Sequence, residues 1–276
     1  MRFSPILALC LLSLASYAQI DTDRPAFTNS VNVVPKSTLQ FEGGMGYTVQ
    51  ATNVVPVINN GRSLKRLETY TLPQAVFRYG ITSRAEVRFE VPQFSLSRYK
   101  LANDSQSRYA TDLWNRQVGM GLKFQILDKD KFTLSYLATL RTERDNFPES
   151  ERELTFGLFN DLIWEYRFNE KSKMAGTLGF GNGKDAYAVN AAALIGTKIN
   201  NRLWLQAEAV SENYLYENSR YNVNYYTLNL SSQYALTQRD AIDLTVGSVV
   251  HSTAFILPRN LTIQLGYAHL FNAKNE

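Results

Sequence analysis

Along nearly the whole chain, apolar and polar residues alternate in blocks separated by turn-rich connections. The last block shows the pattern plainly: in Leu261-Thr262-Ile263-Gln264-Leu265-Gly266-Tyr267-Ala268-His269-Leu270-Phe271 the odd positions are apolar or aromatic up to His269 and end in Phe271, while the even ones are mostly small or polar. Successive side chains of a strand point to opposite faces, so one face of this strand is apolar and the other wettable. One such strand fits many folds. A long series of them, each long enough to cross a bilayer, predicts a transmembrane β-barrel of the outer-membrane type.

Twelve strands are predicted, at roughly 37–50, 66–79, 84–98, 114–127, 131–143, 152–168, 172–182, 187–199, 202–213, 223–236, 241–252 and 260–271. The connections alternate in length. Gly80-Ile81-Thr82-Ser83, Asp128-Lys129-Asp130, Asn169-Glu170-Lys171, Asn200-Asn201 and Thr237-Gln238-Arg239-Asp240 are tight and rich in turn formers, and each follows an even-numbered strand. The segments 51–65, 99–113, 144–151 and 214–222 are longer and follow odd-numbered ones. Gly183 to Ala186 is a short exception on the long side. Up-and-down barrels place short turns at the periplasmic end and longer loops outside, and an even strand number leaves both termini periplasmic.

The alternation also assigns faces. Phe41, Met45, Phe77, Met120, Leu122, Leu140, Phe156, Leu162, Leu228 and Leu230 fall on the lipid side. The opposite side carries Glu42, Arg78, Arg84, Glu86, Arg88, Glu90, Lys123, Arg141, Glu143, Asp161, Glu165, Arg167, Glu208 and Asp243 as candidate pore-lining residues. A basic residue at the midplane of a barrel's lipid face costs about 2–4 kcal/mol, so confinement of charge to one parity marks that face as the lumen. In one reading the charges line an aqueous path and select solutes by their field. In the other they pair across strands and fill the interior. The full inward set holds eleven acids and seven bases, which predicts a weak preference for cations.

Residues 1–18 read as a cleaved signal peptide: Arg2, an apolar run from Ile6 to Leu14, and small residues ending at Ala18. The apolar run is shorter than the roughly 20 residues of a spanning helix. Cys10, the one cysteine, lies within it, so the mature chain has no disulfide framework or thiolate chemistry. Loss of Arg2 reduces 29 bases to 28 against 25 acids, a formal charge of +3 that is too balanced to argue for nucleic acid. Residues 19–36 form an N-terminal periplasmic segment, 37–271 the barrel and 272–276 a C-terminal tail.

Catalytic and metal-binding patterns are poor, and no cofactor is expected. His251 and Ser252 invite comparison with a lipid hydrolase, but adjacent strand residues face opposite sides and cannot pair directly. The expectation is a non-enzyme: a channel or transporter for passive passage of small solutes. A structural or adhesive barrel with a closed, ion-paired interior, whose loops near Arg62, Arg98, Arg108 and Arg220 bind partners, is the alternative.

The stretches Ile20-Asp21-Thr22-Asp23-Arg24-Pro25, Val34-Pro35-Lys36-Ser37-Thr38-Leu39-Gln40-Phe41-Glu42-Gly43-Gly44 and Arg78-Tyr79-Gly80-Ile81-Thr82-Ser83-Arg84-Ala85-Glu86-Val87-Arg88 resemble a known family. It comprises the outer-membrane transporters named for the meta-cleavage pathway of phenol degradation and includes functional-amyloid secretion pores. The resemblance implies a barrel of about twelve strands, a transport role and a homotrimer. The last strand is similar to the signal read by the barrel-assembly machinery, departing from it at His269 and in the tail after Phe271. Before the first strand, Asp21 to Pro35 shows no alternation and reads first as a periplasmic tail tied to the rim. The competing reading folds Asp21, Asp23 and Arg24 into the periplasmic mouth as a gate paired with inner-wall charges.

Overall fold

In a computed structural model, the structure describes residues 20, 22–23, 27–51, 64–92, 94–101, 107–112, 118–144, 154–183, 186–216, 222–253 and 259–271. The predicted signal peptide, residues 1–18, and the tail after Phe271 lie outside them. Among the described residues fourteen strands form one antiparallel sheet. They are β1 (Leu39–Ala51), β2 (Leu64–Thr82), β3 (Ala85–Glu90), β4 (Phe94–Leu101), β5 (Ser107–Asp112), β6 (Gly119–Lys129), β7 (Phe132–Arg144), β8 (Leu154–Asn169), β9 (Ser172–Asn182), β10 (Ala186–Lys198), β11 (Leu203–Tyr216), β12 (Val223–Ala235), β13 (Asp240–Ser252) and β14 (Arg259–Phe271).

They make twelve staves. β2 pairs with β3 through Val76–Thr82 and with β4 through Leu64–Leu72, so β3 and β4 are two halves of one stave, broken at Val91 and Pro92. Proline has no amide to donate and so interrupts the ladder there. β5 pairs with β4 and β6 with β3, making the next stave in the same way. β1 pairs with β2 on one side and β14 on the other, from Leu39↔Phe271 to Ala51↔Arg259, which closes the barrel.

Wall parity follows the hydrophobic alternation. Along β13, Ala241, Asp243 and Thr245 are buried inside while Ile242, Leu244 and Val246 are exposed. Leu230 is 68% exposed and Met120 60%, and the belt of apolar side chains runs around the wall. A soluble monomer rarely shows a contiguous apolar patch beyond a few hundred Å². Hydrocarbon is the solvent such a wall requires.

One predicted connection is corrected. Most of 99–113 is strand: β4 runs to Leu101 and β5 pairs with it from Ser95↔Asp112 to Lys100↔Ser107. This hairpin holds Ser95, Ser97, Lys100, Ser107, Arg108 and Asp112, so it has no continuous apolar face for alternation to reveal. Its hydrogen-bonded ladder holds it without one.

The N-terminal segment is also corrected. Its described residues run inside the barrel: Val31 and Val34 are each 2% exposed, and Val31 packs with Leu137 of β7 and Ile163 of β8. The loose-tail expectation rested on a terminus with no alternation, and segments held by backbone polar groups need none.

Candidate functional site

The site grows from the inward residues of β1, β2, β3 and β6. Register sets Gln40 opposite Arg78, Arg78 opposite Arg88, and Glu86 opposite Lys123. Like charges directly opposite one another are unfavourable in a sheet. Here carboxylates interleave with them. Arg78 donates from Nε and Nη2 to Glu86, each at 2.9 Å, and from Nη1 to Glu42 at 2.8 Å. Lys123 Nζ lies 3.9 Å from Glu86.

The N-terminal segment completes this cluster. Asp23 is paired with Arg88, and its Oδ1 lies 3.5 Å from Arg78 and 3.8 Å from Lys123. Its own amide donates to Glu42 at 3.0 Å, and the Ser30 amide donates to its carboxylate at 2.9 Å. Six charged side chains, three acids and three bases, are thereby packed at 0–7% exposure. Burial pushes the Asp23 carboxyl upward, but Arg78, Arg88, Lys123 and the Ser30 amide outweigh it and hold the group well below its ordinary value of 3.8.

The segment is anchored all around the lumen. Gln233 of β12 donates to the Ile20 carbonyl at 3.1 Å. Glu208 of β11 accepts from the amides of Phe27 and Thr28 at 2.9 and 2.6 Å and from the Thr28 hydroxyl at 2.7 Å. Ser135 of β7 donates to the Val31 carbonyl at 2.5 Å. The Asn32 carbonyl accepts from Arg78 at 2.9 Å and Lys123 at 2.8 Å, and the Val34 amide donates to Glu86 at 2.7 Å. The chain then leaves past Gly80, exchanging backbone bonds of 2.8 and 3.0 Å through Ser37 and Thr38. A side chain at Gly80 would run into the carbonyl oxygens of Val34 and Pro35. Gln233 and Gly80 both lie near tight turns, so the loop dips in from and returns to the short-turn end, which is periplasmic in such barrels.

Of the candidate residues, Glu42, Arg78, Glu86, Arg88 and Lys123 come together in the cluster and Asp23 joins them. Arg141 makes a forked pair with Glu90 at 2.7 and 2.9 Å beyond it. Across the lumen Glu165 accepts from Arg167 at 2.8 Å and Lys173 at 2.9 Å. Asp243 is buried on the inner side and Asp161 half-buried there. Glu208 holds the segment rather than another wall charge. Arg84 is a correction: the chain reverses at Ser83 and Arg84, leaving Arg84 exposed in the turn and off the wall. Asp21, Arg24 and the side chain of Glu143 lie outside the described residues. Lys173 and Ser135 were missed as functional positions, though both have inward parity. The backbone groups of the segment leave no side-chain signal at all. His251 lies against Tyr226 with ring centres 5.6 Å apart and is exposed, whereas Ser252 is buried, so the two face opposite sides.

Beside the segment a cavity of about 450 Å³ remains against β8–β12, with Thr28, Asn32, Lys173, Trp204, Gln206 and Gln233 in its lining. Lys173 Nζ sits 5.3 Å from the centre of the Trp204 ring.

No protein-family model and no curated protein sequence matches the chain. Solved structures do. The COG4313 outer membrane channel from Pseudomonas putida F1 superposes with a TM-score of 0.60 at 11% identity, over 87% of this chain and 98% of that one. The NanC porin superposes with a TM-score of 0.50 at 8% identity, over 84% of this chain and 98% of its own. The fold shared with them, a closed twelve-stave antiparallel barrel with an apolar outer belt, is that of the bacterial outer-membrane barrel.

Proposed function

We propose that the protein is an outer-membrane channel for small solutes whose periplasmic half is closed by the segment from Ile20 to Lys36 and opened by its withdrawal. The observation that carries this reading is the kind of contact holding the segment. Twelve staves spaced by about 4.8 Å and tilted by about 40° enclose a circle of roughly 12 Å radius. One layer of side chains is about 5 Å deep, half the spacing of packed sheets, which leaves an open radius of about 7 Å. The wall's own side chains cannot fill that space. The described residues of the segment occupy the part of it next to β1, β2, β3, β6 and β7, leaving the cavity against β8–β12, and are held by hydrogen bonds to Glu42, Glu86, Glu208, Arg78, Lys123, Ser135 and Gln233. All of these are groups that water can satisfy once the segment leaves. A barrel built to stay shut would gain more from an apolar filling, because replacing buried ion pairs by well-packed apolar groups is often neutral or stabilising. The resemblance of residues 20–25 and 34–44 to a transporter family falls on this same segment and the strand it leads into.

Planar-bilayer recordings test the reading. Deleting residues 20–33 raises single-channel conductance several-fold over the full mature chain, as a plugged lumen becomes an open one. Equal conductance of the two forms refutes it and favours a barrel with a permanently closed interior.

A further inference from the structure

We infer that Arg78, Arg88 and Lys123 form a carboxylate-binding site in the lumen wall, occupied by Asp23 in the closed barrel and by a small organic anion once the segment withdraws. This rests on the channel reading and names the chemical class the channel selects.

The charge balance points to it first. With Asp23 in place the contact cluster holds three acids, Asp23, Glu42 and Glu86, against three bases. Without it the wall keeps three bases and two acids. The two wall acids are already committed. Glu42 accepts from Arg78 and from Gln40 at 2.8 Å, and Glu86 takes both remaining faces of Arg78. Glu90, the next acid along β3, is taken up by the fork of Arg141. Among the described residues Arg88 loses its one short-range carboxylate when Asp23 leaves, while Lys123 loses Asp23 at 3.8 Å and keeps Glu86 at 3.9 Å; Asp161 reaches Arg88 only through its longer-range field.

Arg88 supplies the second observation. It is 4% exposed, and only Nη2 meets Asp23, while Nε and Nη1 are buried without a hydrogen-bond partner among the described residues. A buried guanidinium with two unused donors is costly, and its planar fork matches the two oxygens of a carboxylate. Asp23 uses the site by one edge because the Ser30 amide on its carboxylate and its own amide on Glu42 fix where that carboxylate can lie. A free carboxylate carries no such constraint and can turn to engage the fork. At this ring the lumen favours anions, the opposite of what the total of eleven inward acids against seven bases suggested, since Glu165 stays paired with Arg167 and Lys173, and Glu208, freed of Phe27 and Thr28, lies across the lumen with Asn229 as its wall contact.

Chemical rescue tests the site without requiring conductance. The full mature chain carrying Asp23→Gly has a gap the size of acetate beside Arg88. At neutral pH its unfolding midpoint falls below that of the unsubstituted chain, and sodium acetate restores it with half-restoration in the millimolar range. Sodium chloride at equal ionic strength and neutral acetamide do not, and the unsubstituted chain does not respond. Adding Arg88→Gln to Asp23→Gly abolishes the acetate effect. If acetate and acetamide act alike, or acetate acts equally with Arg88→Gln, the site is overturned. Should Asp23→Gly fail to fold, reversal potentials of the 20–33 deletion in sodium acetate gradients decide: anion preference lost with Arg88→Gln supports the site, and cation preference overturns it. Acetate rescue without conductance in the deletion form leaves the site standing and removes the channel. Conductance without rescue does the reverse.

Discussion

Replacing Arg78 by methionine, a side chain of similar reach without the guanidinium, tests how the segment and the wall support each other. Arg78 is 1% exposed, and its contacts with described residues include hydrogen bonds of 2.8–2.9 Å, two to Glu86 and one each to Glu42 and the Asn32 carbonyl, besides its 3.5 Å approach to Asp23. Its removal leaves three carboxylates facing Arg88 and Lys123 alone in a space closed to water. Breaking a buried ion-pair network by removing one partner costs about 3–5 kcal/mol. With residues 20–33 deleted, water reaches Glu42 and Glu86, and the cost falls to the range of about 0–1 kcal/mol that solvated pairs show. The two perturbations are therefore coupled by about 2–5 kcal/mol, the hallmark of groups in one network. Urea unfolding of barrels refolded into phosphatidylcholine vesicles, followed by tryptophan fluorescence, gives the four free energies of the cycle. An Arg78→Met cost that is the same in both backgrounds, or below about 1 kcal/mol in the full chain, refutes the argument that the segment seals this cluster.

Two other outcomes follow from the same contacts. Gly80→Ala drives a methyl group into the Val34 and Pro35 carbonyls where the segment leaves the lumen. Conductance and proteinase K cleavage within residues 27–36 both rise, while the folded barrel keeps its heat-modifiable gel migration; cleavage as slow as in the unsubstituted chain counts against the exit path. Acidification gives a contrasting null. Asp23 is held below its ordinary value of 3.8, so its contribution is complete above that value and is lost only as pH falls through the lowered one. Between neutral pH and about pH 4 the Asp23 contact therefore persists, and single-channel conductance stays at its neutral-pH value. Release near pH 5 would mean that another group controls the segment.

The barrel was legible because a membrane enforces two rules on every residue of the wall: parity decides lipid or lumen, and backbone groups must pair along closed ladders. Phe77, Met120, Leu162 and Leu230 obeyed the first rule and were placed correctly from alternation alone. The β4–β5 hairpin escaped because its ladder carries few apolar residues, and Arg84 was misplaced because a turn of two residues consumes the end of the parity run. The segment from Ile20 to Lys36 was read mainly as a loose tail for a different reason. Its hold on the wall runs through main-chain amides of Asp23, Phe27, Thr28 and Val34 and the carbonyls of Ile20, Val31 and Asn32. Every residue but proline has both groups, so no pattern of side chains announces them. One part of the lock was nevertheless written in the wall. Strand register sets Arg78 beside Arg88 with Lys123 one strand away, and Glu42 and Glu86 are one carboxylate short of balancing them. In a closed interior that deficit must be met by a carboxylate from elsewhere. Among the described residues preceding β1, Asp23 is the one that carries it.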